Sequence, residues 1–147
     1  MAVKSPLTVD PVFVDGNSLQ IPTLRILQAD GSVIKGAQFP ELPQELAQKI
    51  YRDMVYTRIL DERMVSAQRQ GRLSFYLTCT GEEASVAGTA AAFEQNDMIM
   101  GQYREQVALR FRGFTTEQFM NQLFSNAKDL GKGRQMPVHY GCSDLNF

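Results

Sequence analysis

The sequence predicts an α/β chain, rich in helix and preceded by an irregular N-terminal arm. Three observations lead there. Pro6, Pro11, Pro22 and Pro40, with Gly16, Gly31 and Gly36, punctuate residues 1–42 and leave no helical period in that stretch. From residue 43 onward apolar side chains recur at helical spacing in successive stretches. Between those stretches lie Leu73–Thr78, an aromatic run suited to a strand or extended loop, and Met98–Met100, a short apolar run suited to a buried strand. The chain therefore reads as an extended arm, 1–42, and a folded body, 43–147.

Within the arm, Ala29-Asp30-Gly31-Ser32 is a turn signal between Leu24-Arg25-Ile26-Leu27 and Val33-Ile34, so a small hairpin is expected. The body opens with Leu42, Leu46, Ile50 and Met54 at spacings of four, joined by Val55, Ile59, Leu60 and Met64. Arg52, Asp53, Glu62, Arg63 and Arg69 take the remaining positions. This predicts a long amphipathic helix whose apolar stripe is core and whose end is capped by Gly71 in the left-handed region. Thr80-Gly81-Glu82-Glu83 has the form of a capping box, with Thr80 as N-cap. The Ala-rich helix after it, with Gly88 among small residues, is expected to be deeply buried. A short helix, Gln106 to Arg112, stops at Gly113, and Thr115-Thr116-Glu117-Gln118 supplies a second capping box. Phe119, Met120, Leu123 and Phe124 then form a core face.

Composition narrows the functional classes. The 147 residues suffice for one domain with a core but fall short of a complete two-domain enzyme. A hydrophobic content of 44% excludes wholesale disorder. Fifteen basic and sixteen acidic residues give a net charge of −1, so neither nucleic acid nor an anionic membrane is expected as a partner. Any anion site must be local. Two widely separated cysteines and one histidine exclude an ordinary zinc module and fit a reducing compartment, although one disulfide stays open. With no signal-peptide core, no arginine-rich presequence and no apolar run of spanning length, the expectation is a soluble, cytoplasmic chain.

Two stretches carry candidate chemistry. Gly101-Gln102-Tyr103-Arg104-Glu105 follows directly on the Met98–Met100 run, and ligands of open α/β folds bind at carboxyl ends of strands. A tyrosine hydroxyl and a bidentate cation at that place suit a phosphate, and an ion pair with Glu105 or a neighbour is the structural alternative. Asp129-Leu130-Gly131-Lys132-Gly133-Arg134-Gln135-Met136-Pro137-Val138-His139-Tyr140-Gly141 combines three glycines, two cations and the only histidine. Such a loop is expected at the rim of an anionic site, or else is a plain turn with solvated charges.

Taken together, Ser66-Ala67-Gln68-Arg69-Gln70-Gly71-Arg72-Leu73-Ser74-Phe75-Tyr76, Gly81-Glu82-Glu83, Gly101 to Glu105 and Leu130 to Gly141 resemble the alpha subunits of branched-chain 2-oxo acid (2-oxoisovalerate) dehydrogenases. The resemblance runs strongly from about residue 43 onward and more loosely through the arm. It implies the N-terminal portion of a thiamine diphosphate-binding fold, with 43–147 an incomplete domain of that kind. It also implies oxidative decarboxylation of branched-chain 2-oxo acids, with the acyl group passed to lipoyl. The partners implied are a beta subunit in an alpha2beta2 heterotetramer and a lipoyl acyltransferase core. The cofactors implied are thiamine diphosphate and magnesium. By the same resemblance Gln102, Tyr103 and Arg104 contact the diphosphate, Phe75 and Tyr76 line the substrate pocket, and His139 lies near the active-site mouth as a catalytic candidate. The family's Gly-Asp-Gly signature, which with a later asparagine places the magnesium, is absent, so metal ligands are expected beyond residue 147. Three other readings stay open: a pyruvate or acetoin dehydrogenase alpha subunit of the same chemistry, a truncated non-catalytic interaction module, which the missing signature favours, and a phosphate- or nucleotide-binding helper resting on Tyr103-Arg104 and the basic loop.

Overall fold

The structure, a computed structural model, describes residues 7–147; Pro6 lies outside the described residues. The chain divides into a first unit that runs to Glu41 and a second, Leu42–Phe147.

In the first unit Asp15 Oδ1 accepts from Asn17 N at 3.1 Å and caps the 3-10 turn Gly16–Ser18. The expected hairpin is present in minimal form. Leu27 and Val33 make a single antiparallel bridge, and Ile34 N donates to Ile26 O at 2.8 Å. Asp30 Oδ1 accepts from Ser32 N and Oγ at 2.9 and 2.7 Å, which closes the turn around Gly31 at φ 84°.

The second unit contains four α-helices: α1 (Gln44–Arg69), α2 (Glu83–Ala92), α3 (Gln106–Phe111) and α4 (Thr116–Leu123). α1, α2 and α3 pack against one another. Helix α1 ends as the sequence predicts, with Gly71 at φ 73°. Its buried face differs from the predicted stripe. Leu60 is buried, but so are Asp53, Thr57 and Asp61, while Val55 and Ile59 are exposed. The polar side chains face inward because they find partners there. Asp53 takes Lys49 Nζ at 3.0 Å and Arg110 Nε at 3.5 Å, and Thr57 donates to Asp53 O at 2.8 Å.

Helix α2 starts at Glu83, with Glu82 as its N-cap. Thr80 is therefore not the cap. Gly81 at φ 91° turns the chain after Thr80, and Glu83 Oε2 reaches back to Gly81 N at 2.7 Å. Only Ala87 and Ala90 of α2 are buried, so one side of the helix is covered rather than the whole. At α4 the capping box forms as expected. Thr115 Oγ1 accepts from Gln118 N at 3.2 Å, and Gln118 Oε1 accepts from Thr115 N at 2.8 Å. Behind it Phe119 meets Phe114 and Tyr140 edge-on, at centroid distances of 4.8 and 5.0 Å. Phe124 is exposed.

Among the described residues no strand ladder forms: Leu73–Thr78, read as strand or extended loop, is a loop, and Met98–Met100, read as a buried strand, is a loop as well. Their backbone groups are used differently. The Leu77 and Thr78 carbonyls accept from the side chains of Gln106 and Arg104, and Ile99 N makes one bond, to Asn146 O at 2.9 Å. Of Met98–Met100 only Ile99 is buried. A buried cation missed by the periodicity holds the turn before Met98 to the C-terminal segment. Arg112 donates to the carbonyls of Glu94, Gln95, Asp97 and Leu145 at 3.0–3.1 Å.

Candidate functional site

The site is built from three segments laid on one apolar cluster. Leu73, Tyr76, Leu123 and Val138 form its buried centre, and Phe75, Tyr103 and Tyr140 pack against it. The first segment, 73–79, is pinned to α1 by Asp61. Tyr76 OH donates to Asp61 Oδ1 at 2.7 Å, and Cys79 N and Sγ donate to Oδ2 at 2.8 and 3.3 Å. No cation lies within ion-pairing distance of Asp61 among the described residues. Burial pushes its carboxyl above the ordinary range, against the opposing pull of the Tyr76 and Cys79 hydrogen bonds. Burial, with the Asp61 charge beside it, likewise raises the Tyr76 phenol and the Cys79 thiol. Cys79 and Cys142 are both free and buried.

The second segment is Gly101 to Glu105. Glu105 Oε2 accepts from Gln102 N at 2.7 Å and from Arg104 N at 3.1 Å, so the carboxylate staples the loop from within. A Cβ at Gly101 would lie 3.0 Å from Phe147 Cζ and 3.1 Å from Glu105 Cβ, so any larger residue would crowd both side chains. Arg104 Nε donates to Thr78 O at 3.2 Å. Its Nη1 stands 3.7 Å from Glu82 Oε1, an ion pair rather than a hydrogen bond, and the pairing with Glu105 considered from sequence is replaced by this one. Among the described residues Nη2 makes no hydrogen bond, and Nη1 is held only by that long ion pair. The guanidinium carbon sits 5.2 Å from the Tyr103 ring centroid.

The third segment is the glycine-rich loop. Its amides do turn toward an anion, but the anion is the loop's own: Asp129 carboxylate oxygens accept from Gly131 N at 3.1 Å and Gly133 N at 2.7 Å. Lys132 and Arg134 are exposed. Beyond them Gln122, buried on α4, clamps the chain. Its Nε2 donates to Met136 O at 2.7 Å and His139 O at 3.3 Å, and its Oε1 accepts from Val138 N at 3.1 Å. Val138 is held at φ 65°, a costly conformation for a β-branched residue. His139 Nδ1 lies 3.0 Å from Pro137 O. A carbonyl only accepts, so Nδ1 carries the hydrogen and the neutral ring keeps its lone pair on Nε2.

The structure brings Phe75, Tyr76, Tyr103, Arg104 and His139 into one neighbourhood; the Tyr103 and His139 ring centroids are 6.2 Å apart. Gln102 is exposed and contributes its backbone to the Glu105 staple. Tyr76 is buried, with its hydroxyl committed to Asp61. Among the described residues no three His, Cys, Asp or Glu side chains gather into a metal-holding group. An apolar cleft of about 340 Å³ lies between α2 and residues 98–100, but Glu105 is its one charged lining residue and no cation faces it. Sequence reasoning missed Asp61 and Gln122 because their partners stand far away in the chain. No helix among the described residues is long and apolar enough to cross a membrane.

Together the segments present an arginine and a tyrosine over an apolar shelf, beside a histidine. The chain belongs to the dehydrogenase E1 component family, whose profile it matches over residues 51–147. It is 51% identical over 145 residues to "2-oxoisovalerate dehydrogenase subunit alpha 2, mitochondrial" of Arabidopsis thaliana, covering 98% of this chain and 31% of the relative. It is 48% identical over 127 residues to the mitochondrial alpha subunit of Caenorhabditis elegans (86% and 30%). To the human one it is 43% identical over 136 residues (92% and 31%). The chain spans a little under a third of the length of these relatives. Their names overturn the expectation of a cytoplasmic chain, since each is designated mitochondrial. That expectation rested on a missing presequence, and a chain spanning so little of its relatives gives no ground for such a reading.

Proposed function

We propose that this chain supplies part of the diphosphate-binding half of a thiamine diphosphate-dependent 2-oxo acid dehydrogenase alpha subunit, acting on branched-chain 2-oxo acids. The observation that carries the reading, in a chain of this family, is that Phe75 and Tyr103 pack on one apolar cluster while Arg104 and His139 both stand against the Tyr103 ring. The proposal extends to an α/β cofactor-binding domain of which 43–147 is a portion. A beta subunit in an alpha2beta2 assembly and a lipoyl acyltransferase core complete the reaction. Magnesium's ligands belong beyond residue 147.

The residues present fit a diphosphate. Arg104 is fixed by its backbone and by Nε, and its terminal nitrogens offer the geometry that a phosphate accepts bidentately. Tyr103 adds a half-buried phenol and Gln102 an exposed amide. When bound, thiamine supplies the electron sink for decarboxylation. The chain's own residues orient the diphosphate, shape an apolar wall at Phe75 and Tyr76, and place His139 Nε2 where it can hold or accept a proton. The pyruvate-directed alternative has no observation in its favour here, and the relatives are named for 2-oxoisovalerate.

The test uses the complete two-subunit enzyme containing these residues. Arg104→Ala weakens thiamine diphosphate binding by about 2–4 kcal/mol in calorimetry, the scale of a lost charged partner. Phe75→Ala leaves that affinity near its original value and raises KM for branched-chain substrates. Normal cofactor binding by Arg104→Ala would return Arg104 to a structural role with Glu82.

A further inference from the structure

Asp61 and Arg104 occupy opposite sides of one peptide group. The Cys79 N–H donates to Asp61 Oδ2 at 2.8 Å, and the carbonyl of the same group, Thr78 O, accepts from Arg104 Nε at 3.2 Å. The group is trans, so its N–H and C=O point in opposite directions and turn together. Whatever fixes the N–H fixes the direction in which the carbonyl meets the guanidinium. We propose that Asp61 is a positioning residue for the cofactor site: through the 78–79 peptide it sets the orientation of the Arg104 guanidinium toward a diphosphate. The inference rests on the diphosphate reading above.

Three observations support this relay over a general packing role. Asp61 is almost wholly buried with no cationic partner among the described residues, yet both carboxylate oxygens are used, and both point at segment 76–79. A buried carboxylate accepting from an amide also strengthens the carbonyl of that amide as an acceptor, because hydrogen bonds in series polarise one another. The other restraints on the Arg104 side chain are weaker, the Tyr103 ring centroid lying 5.2 Å from the guanidinium carbon. Glu105 holds only its backbone N–H, and the Glu82 contact at 3.7 Å is long and half-exposed. Without the Thr78 carbonyl the guanidinium would be free to swing toward Glu82.

Asp61→Asn tests the relay. The Tyr76 hydroxyl can accept from the new NH2 group whereas the Cys79 N–H cannot, so the amide oxygen faces Cys79 and the 78–79 peptide exchanges a charged acceptor for a weaker neutral one. In the complete two-subunit enzyme, thiamine diphosphate affinity measured by calorimetry falls about tenfold, roughly the difference between a charge-assisted and a neutral hydrogen bond. The decisive measurement repeats the substitution in an Arg104→Ala background, where Asp61→Asn causes no further loss. A purely structural Asp61 would give losses that add. If Asp61→Asn does not assemble, Tyr76→Phe loosens the carboxylate from its other side and enters the same cycle, with a loss of about threefold that also vanishes without Arg104. Unchanged or additive losses, with Arg104→Ala itself weakened, overturn the relay alone. Unchanged affinity in Arg104→Ala overturns the diphosphate reading and the relay with it.

Discussion

Replacing Gln122 by methionine removes three hydrogen bonds at nearly constant volume. The Met136 and His139 carbonyls lose their donor, and the Val138 N–H loses its acceptor inside the protein. Val138 is 1% exposed, so no water replaces the lost partner without the loop opening. A buried N–H left unpaired costs about 1–3 kcal/mol, and the two carbonyls add a smaller amount each. Against this, a loosened loop relieves some of the left-handed strain at Val138, worth about 1–3 kcal/mol. The expected net loss is about 2–3 kcal/mol. Urea denaturation of wild type and Gln122→Met reads it, with the exposed α1 substitution Gln48→Met as a control expected to change stability by no more than about 0.5 kcal/mol. Amide hydrogen exchange at residues 136–139 should accelerate in Gln122→Met in parallel. A loss below about 1 kcal/mol with unchanged exchange would refute the clamp. His139 would then be placed by the apolar cluster alone.

Arg112→Leu strips a buried cation from four carbonyls and should cost about 3 kcal/mol or more by the same titration, with Arg112→Lys recovering only part because an ammonium cannot span all four. Gly101→Ala sets a methyl 3.0 Å from Phe147 Cζ and 3.1 Å from Glu105. The strain should cost about 1–3 kcal/mol and speed exchange of the Gln102 and Arg104 amides as Glu105 is displaced. Asp61 carries a pH signature. Its carboxyl is raised above 3.8 in the folded chain, chiefly by burial, so the native state holds this proton more tightly than the unfolded state. That contribution is fully present below 3.8 and is lost as pH rises through the raised folded value. The stability advantage of wild type over Asp61→Asn should therefore shrink as pH rises out of the acid range, and a difference that grew with pH would contradict the burial argument.

Much of the framework was legible because it is local. The Gly71 stop, the Thr115–Gln118 capping box and the Asp30–Ser32 turn each depend on residues within a few positions of one another, and each formed as read. The site loops were legible in content, through Tyr103, Arg104 and His139, but not in support. Hydrophobic periodicity assigns a carboxylate on a helix to solvent, because burying one is costly unless it is hydrogen-bonded. Asp53 and Asp61 escape that rule because their partners come from Arg110, and from Tyr76 and Cys79, whose arrival depends on the tertiary fold. The same holds for Gln122, whose acceptors lie 14 and 17 residues on, and for Arg112, whose carbonyls come from two separate loops. Asp53 bonds to side chains of neighbouring helices, whereas Gln122 and Arg112, and Asp61 through Cys79 N, bond to backbone groups of irregular segments. In a chain whose candidate site is assembled from loops rather than sheet edges, such polar side chains take the part that a strand ladder would otherwise play. They hold carbonyls and amides that have no secondary-structure partner, and so they fix the directions in which Phe75, Arg104 and His139 are presented.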